Sequence, residues 1–278
     1  MKIENEIRQV FHPVQPQGQS NENILVLEAL PDLPLQSFIW CYWEIKSCQP
    51  LSDDFSCKIA SDGCIDIIVN LNNPKENYVM GVYDKCTTYL LGASFHYAGV
   101  RFLPGMFSYL FSVNASEISN SVEGIDSVHL KTAKFLIESI QPGSSISDFR
   151  HLFDKYFLKN LLQIDQRFDN QVYEALMIIL KKSGSINIQK DIHKSVGVSP
   201  RHLRRLFDFY IGHNIKSFIR VVRFQNYLRA QLESKANSAE RLYYDSYYDQ
   251  AHFIKEFKTF CGETPKSALG YLSRPAKV

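Results

Sequence analysis

One stretch constrains this 278-residue chain more than any other: Val196-Gly-Val-Ser-Pro-Arg-His-Leu-Arg-Arg-Leu-Phe-Asp-Phe-Tyr210. Gly197 lets the chain reverse after a short helix, Ser199 can cap the next helix, and Pro200 suits its first position, where no backbone N–H is needed. A short helix, a glycine turn and a capped second helix make up a helix-turn-helix. On a helical wheel Leu203, Leu206, Phe207 and Tyr210 share one side, while Arg201, Arg204 and Arg205 share the other, beside Asp208. A guanidinium can donate two parallel hydrogen bonds to guanine O6 and N7, or one strong contact to phosphate, so this row suits DNA as well as it suits plain solvation. His202, at the boundary of the two faces, reads as packing or turn support.

A second unit of the same kind follows about fifty residues later, from Tyr247 to Pro265. Asp249 is its cap, and Phe253, Phe257 and Phe260 form its buried stripe. Gln250, Ala251, Ile254, Lys255 and Lys258 point outward, with Thr264 opening the last helix. Between the units a helix of about 20 residues, Ile215 to Ser234, is roughly 30 Å long, close to the ~34 Å between successive major-groove segments on one duplex face. Phe218, Val221, Val222, Leu228 and Leu232 are expected on its buried side, and Lys216, Arg220 and Arg223 on the opposite side, facing phosphates or solvent.

Charge divides the chain in the same place. Residues 1–168 hold 13 Lys+Arg against 19 Asp+Glu, a net of −6, and residues 169–278 hold 18 against 10, a net of +8. A basic module behind an acidic one suggests that one half meets a polyanion. No apolar run approaches the roughly 18–20 residues of a membrane span, and the first ten residues lack a signal-peptide apolar block, so a soluble cytoplasmic protein is expected. The six cysteines, none spaced as C-x-x-C, read as reduced thiols, with redox or metal sensing left open.

The acidic half reads as short strands: Phe38–Ile45, Cys64–Leu71, Tyr78–Val82, Thr87–Leu91 and Ala98–Phe102. A β barrel or sandwich follows from them. Leu130, Ala133, Lys134 and Ile137, then Phe149 to Phe157, change to helical spacing and predict two helices across about 130–162. The fold class is therefore α+β in two domains: a β-rich regulatory or dimerisation domain over 1–165, and an all-α domain of seven helices with two helix-turn-helix units over 166–278. His12, His96, His129 and His151 form no His-x-His or His-x-x-x-His pair, which speaks against a metal site and an enzyme. Asp62 and Asp66 read as a turn and an exposed strand position, and Arg101 as an internal salt-bridge partner or a ligand clamp. The aromatic side chains of this half are core or pocket lining.

Ser199–Phe207, Tyr247–Lys258 and Gly262-Glu-Thr-Pro265 resemble the two halves of the AraC/XylS-type transcription regulator domain. Leu35–Trp43, Asp62–Ile68 and Gly99–Gly105 resemble the β-rich N-terminal domain of one branch of these regulators, a barrel related in shape to cupins. The resemblance implies a bacterial activator that binds double-stranded promoter DNA, with RNA polymerase as partner, an unidentified small-molecule effector, and neither cofactor nor membrane; the two amphipathic helices of 130–162 leave an apolar stripe that either a homodimer covers or their own barrel does. By position, the base-facing residues would be Arg201, Arg204 and Arg205, then Gln250, Ala251, Ile254 and Lys255. Two positions depart from the pattern. His193 replaces a small residue four places before the turn glycine, and the second unit has Ser246 or a deletion where its turn glycine is expected. The first unit should therefore dominate specificity. The alternative is a degenerate regulator acting mainly through protein–protein interaction.

Overall fold

The computed structural model describes residues 6–16, 20–164, 168–182, 192–233 and 249–272. A short helix α1 (Glu6–Val10) precedes strands β1 (Ile24–Ala29), β2 (Ile39–Ser47), β3 (Ser56–Ile59), β4 (Ile65–Asn70), β5 (Asn77–Met80), β6 (Thr87–Leu90) and β7 (His96–Phe102). Helix α2 (Met106–Phe111), strand β8 (Val122–Gly124), and helices α3 (Ile125–Ser139) and α4 (Ile146–Leu161) complete this half. The five expected strands all form, and β1, β3 and β8 join them. The sheet order is β1-β2-β7-β4-β5-β8, antiparallel throughout, and β3 pairs β6 as a separate two-stranded ribbon.

Side chains alternate across the large sheet, as a strand's period of two requires. Tyr42, Ile67, Val69, Val79, Val100 and Phe102 point to one face, where Phe149, Phe153 and Phe157 of α4 and Ala133 and Leu136 of α3 close a core. Trp43, Asp66, Ile68, Tyr78, Met80, Tyr97 and Arg101 point to the other, across a cavity from the ribbon. Gly99 lies beneath the Trp43 indole, where a Cβ would stand 2.3 Å from the ring. The buried stripe of α3 is Ile125, Thr132, Ala133 and Leu136, with a kink at His129. Leu130 and Ile137, expected inside, are 56% and 44% exposed.

Asp66, expected exposed, is corrected by the structure to a buried position, whereas Asp62 stands in the expected turn, its Oδ1 accepting the Cys64 N–H at 2.9 Å. Arg101 donates to Asp66 Oδ1 from Nε at 3.2 Å and to Oδ2 from Nη2 at 2.9 Å, and its Nε stands 3.6 Å from Asp62. Arg101 is thus an internal ion-pair partner. Burial pushes the Asp66 carboxyl up to about 6, against the pull of Arg101.

The helical half comprises α5 (Asn170–Lys181), α6 (Ile192–Ser195), α7 (Pro200–Ile211), α8 (Ile215–Leu232), α9 (Gln250–Cys261) and α10 (Pro265–Leu272). The helix expected over 238–245, the position Ser246 and the domain boundary near 165–166 lie at or within stretches outside the described residues. Two cores hold this half together. The first joins α5–α8 to residues of the acidic half, including Ile7, Phe11, Cys64, Leu103 and Met106. The second gathers Phe224, Tyr227 and Leu228 of α8 with Phe253, Phe257 and Phe260 of α9. No described helix is long and apolar enough to cross a membrane. All six cysteines are free.

Candidate nucleic-acid interface

Helices α7 and α9 are built alike. Ser199 accepts the N–H of His202 at 3.2 Å and Pro200 takes the first helical position. Asp249 accepts the N–H of His252 at 2.7 Å. Each helix runs twelve residues and ends on a left-handed glycine, Gly212 at φ 77° and Gly262 at φ 82°. That conformation is open to glycine at little cost. Gly197, before α7, has φ 70° and makes the expected turn.

On α7, Leu203, Leu206 and Phe207 are buried and Arg201, Arg204 and Arg205 are exposed. His202 bridges inward, its Nε2 3.1 Å from Gln171 Oε1 of α5, while its Nδ1 is 3.1 Å from Arg205 Nη2. One arginine of the row is thereby steadied by the helix itself. His193, in α6, is half-buried. On α9, Phe253, Phe257 and Phe260 are buried, and Gln250, Ala251, Ile254, Lys255 and Lys258 are exposed. Thr264 is exposed, and its Oγ1 accepts the Ser267 N–H at 3.4 Å as α10 begins.

Arg220 and Arg223 need correcting. Arg223 is 4% exposed and donates from Nη2 to Glu256 Oε1 at 2.7 Å, and Arg220 Nε donates to Glu256 Oε2 at 2.7 Å. Arg220 remains partly exposed, with its guanidinium 5.2 Å from the Phe260 ring centre. A helical wheel of α8 alone could not show this, because the helix is covered from several directions. Gln225 Nε2 donates to Ser61 O at 2.8 Å, and its Oε1 accepts the Val14 N–H at 2.7 Å. Only Lys216 of the three expected cations lies fully outside, and Leu232, expected inside, is exposed.

Glu256 is the residue that sequence reasoning missed. Burial alone would raise its carboxyl, yet the hydrogen bonds and charges of Arg220 and Arg223 hold it below the usual range. It ties the interior of α9 to α8, and so fixes how the outward face of α9 is presented. Its only sequence signal is a carboxylate at a buried position of the Phe253–Phe257 stripe.

Both helices are also held by the acidic half. Ser119 Oγ donates to Gly212 O at 2.8 Å, at the end of α7. At the end of α9, Ser61 N–H donates to Phe260 O at 3.1 Å, Cys86 N–H donates to Thr259 O at 2.8 Å, and Lys58 pairs with Glu263. Among the described residues no three His, Cys, Asp or Glu side chains converge where a metal ion could sit.

Residues 192–269 match a family described as a helix-turn-helix domain, and residues 27–123 match one described as a domain of unknown function. No curated protein matches the chain. Among solved structures, the crystal structure of ToxT from Vibrio cholerae O395 is similar at 12% identity and a TM-score of 0.40, covering 91% of this chain and 98% of that one. Wild-type ToxT bound to an unsaturated fatty acid is similar at 12% identity and 0.39, covering 94% and 99%.

Proposed function

We propose that this chain, with a helix-turn-helix domain of AraC type behind a β-rich domain, is a DNA-binding transcription regulator that reads promoter DNA through two helices, α7 and α9. The observation that carries this reading is the outward row Arg201, Arg204 and Arg205 on a capped helix whose opposite face is buried. Arg204 and Arg205 supply bidentate donors for guanine, and Arg201 sits at the helix N-terminus, where phosphates also collect. From α9, Ala251 and Ile254 offer apolar contact to thymine methyl groups, Gln250 a bidentate edge for adenine, and Lys255 and Lys258 contacts to phosphate. Helix α8, 18 residues and about 27 Å long, spaces the two helices for successive major-groove segments. Lys216 and the exposed edge of Arg220 add to backbone contact. Arg223 does not, since it is committed to Glu256.

The acidic half supplies control in this reading. The cavity between sheet and ribbon is the place for an effector, and the exposed Leu130 and Ile137 of α3 give a surface for self-association. Selection of binding sites from a random duplex pool with the full chain tests the proposal. Enrichment of a long site with two conserved patches is expected, with log K falling linearly in log salt. A folded protein that enriches nothing and shows no salt slope would favour the protein-interaction reading instead.

A further inference from the structure

The cavity between the large sheet and the β3–β6 ribbon has a volume of about 300 Å³, at the small end of ligand pockets. Its charges are unequally matched. The two cations on its wall are both engaged: Arg101 is clamped by Asp66, with Asp62 behind it, and Lys58 is bridged to Glu263. Glu28, exposed on β1 at the edge of the cavity, has no ion-pair partner among the described residues. The cavity is thus lined by two carboxylates and two cations; both cations are already paired, Lys58 with a carboxylate outside the lining, and Glu28 is the charged group left over. The remaining wall is apolar and aromatic, with Trp43, Tyr78, Tyr89 and Tyr97 turned toward the space. Aromatic faces attract a cation through their negative quadrupole, most strongly where water is excluded. An anionic ligand would find no uncommitted positive group here.

We propose that this cavity binds an amphipathic organic cation, a compact apolar body carrying one ammonium group, and that its occupancy is relayed to α9 through the ribbon. The relay follows from the ribbon having two faces in use. Cys57, Lys58, Tyr89 and Leu90 line the cavity. The same ribbon and its flanks hold the end of α9 through Lys58 and Glu263, Cys86 N–H and Thr259 O, and Ser61 N–H and Phe260 O. Contact there is close: a Cβ on Gly262 would lie 2.8 Å from Cys86 Sγ. A ligand that shifts the ribbon therefore shifts the seat of α9 before it reaches α7, which is held elsewhere, by Ser119. This deepens the regulatory reading above and rests on it only for its consequence at DNA.

The test needs no DNA, so its failure is separate from failure of that reading. Calorimetry on the full chain compares three probes sharing a 4-phenylbutyl tail, with a trimethylammonium, a tert-butyl or a carboxylate head. The ammonium is expected to bind at least tenfold more tightly than the neutral probe, and the carboxylate not at all. Equal or tighter carboxylate binding, or no binding by any probe, overturns the ligand class. Glu28→Gln should weaken the ammonium at least threefold and leave the neutral probe unchanged, whereas equal weakening of both would overturn the charge argument. Ile68→Trp, which fills the space, should abolish binding by a chain whose circular dichroism is unaltered, and retained binding would place the site elsewhere. Amide exchange reads the relay: ammonium binding should change exchange at Ser61 and Cys86 at least fivefold, with smaller change at Gly212 and His213. A bound ligand that leaves Ser61 and Cys86 unchanged overturns the relay.

Discussion

Helices α7 and α9 share a cap, a length and a closing glycine, and differ at matching positions fifty residues apart. Arg201, Arg204 and Arg205 of α7 stand where α9 has Ala251, Ile254 and Lys255. Leu206, part of an apolar core, stands where α9 has Glu256, and His213 after one glycine stands where Glu263 follows the other. The outer face of α7 is thus rich in donors and its inside is apolar. In α9 the outer face keeps Gln250, Lys255 and Lys258 but sets Ala251 and Ile254 between them, and the inside carries a charge, Glu256, in a buried bridge. What differs is less the scaffold than where each helix keeps its polar groups: α7 keeps its arginines on the exposed face, and α9 commits a carboxylate to its own attachment.

The largest effect should come from breaking that attachment. Glu256→Gln leaves Arg223 buried without its counter-charge, and removal of one partner from a buried pair costs about 3–5 kcal/mol. Urea denaturation should show this loss, and the weakened chain should lose the second patch of its selected site first. A loss below about 1 kcal/mol would mean that Glu256 does not anchor α9.

Next come the arginines of α7, whose variants should leave stability within about 0.5 kcal/mol because the side chains are exposed. Arg204→Ala and Arg205→Ala are each expected to weaken binding of the selected duplex by about 1–3 kcal/mol and to relax base preference at one position. Titrations against the selected site and a scrambled one separate base reading from phosphate contact. Equal weakening on both duplexes would reduce these residues to backbone grip, and the contrast with α9 would lose its functional half.

The contrast was only half legible in the sequence. The cap, turn glycine and 3.6-residue period of α7 are local, so its position and outward row could be read directly, and the cap and period alone placed α9. Arg223 and Glu256 were not legible as a pair, because the partner of each lies 33 residues away and α8 looks solvated on any wheel that omits Val14, Ser61 and α9. Asp66 shows the same difficulty. Alternation puts it on a strand face, but only its register opposite Arg101 and the covering ribbon make that face interior. Strand β3 was missed because four residues, Ser-Cys-Lys-Ile, carry too short a pattern, and with it the cavity.

The residues following each glycine allow a finer separation by pH. His213 is 6% exposed with neither ring nitrogen hydrogen-bonded, and burial lowers its pKa despite the opposing pull of Asp84. Above about pH 6.5 the imidazole is neutral in both folded and unfolded chains and stability is independent of it. As pH falls below that, the unfolded chain takes up a proton that the folded one resists, so stability declines toward the depressed folded pKa. His12 and His129, also lowered chiefly by burial, act in the same direction. Asp66, raised to about 6, acts in the opposite direction over the same window, so the His213 share is read as a difference: between pH 7.5 and 5 the denaturation midpoint of His213→Leu should fall less, or rise more, than that of the parent chain. A variant with the parent's slope would assign the acid sensitivity to the other two histidines.

At the matching place after α9 the expected dependence is on salt rather than acid, and it is the smallest of the four. Lys58 and Glu263 pair with side chains 33% and 18% exposed, where such bridges contribute about 0.2–1 kcal/mol and are screened by ions. Lys58→Met should cost stability within that range at low salt and nothing at about 1 M, whereas the His213→Leu difference should persist at both. Because Lys58 also lines the cavity, its loss leaves α9 held to the ribbon by the amides of Ser61 and Cys86, which salt does not screen. If Lys58→Met cost as much as Glu256→Gln, the ribbon rather than α8 would be the principal anchor of α9, and the order of the two attachments would have to be reversed.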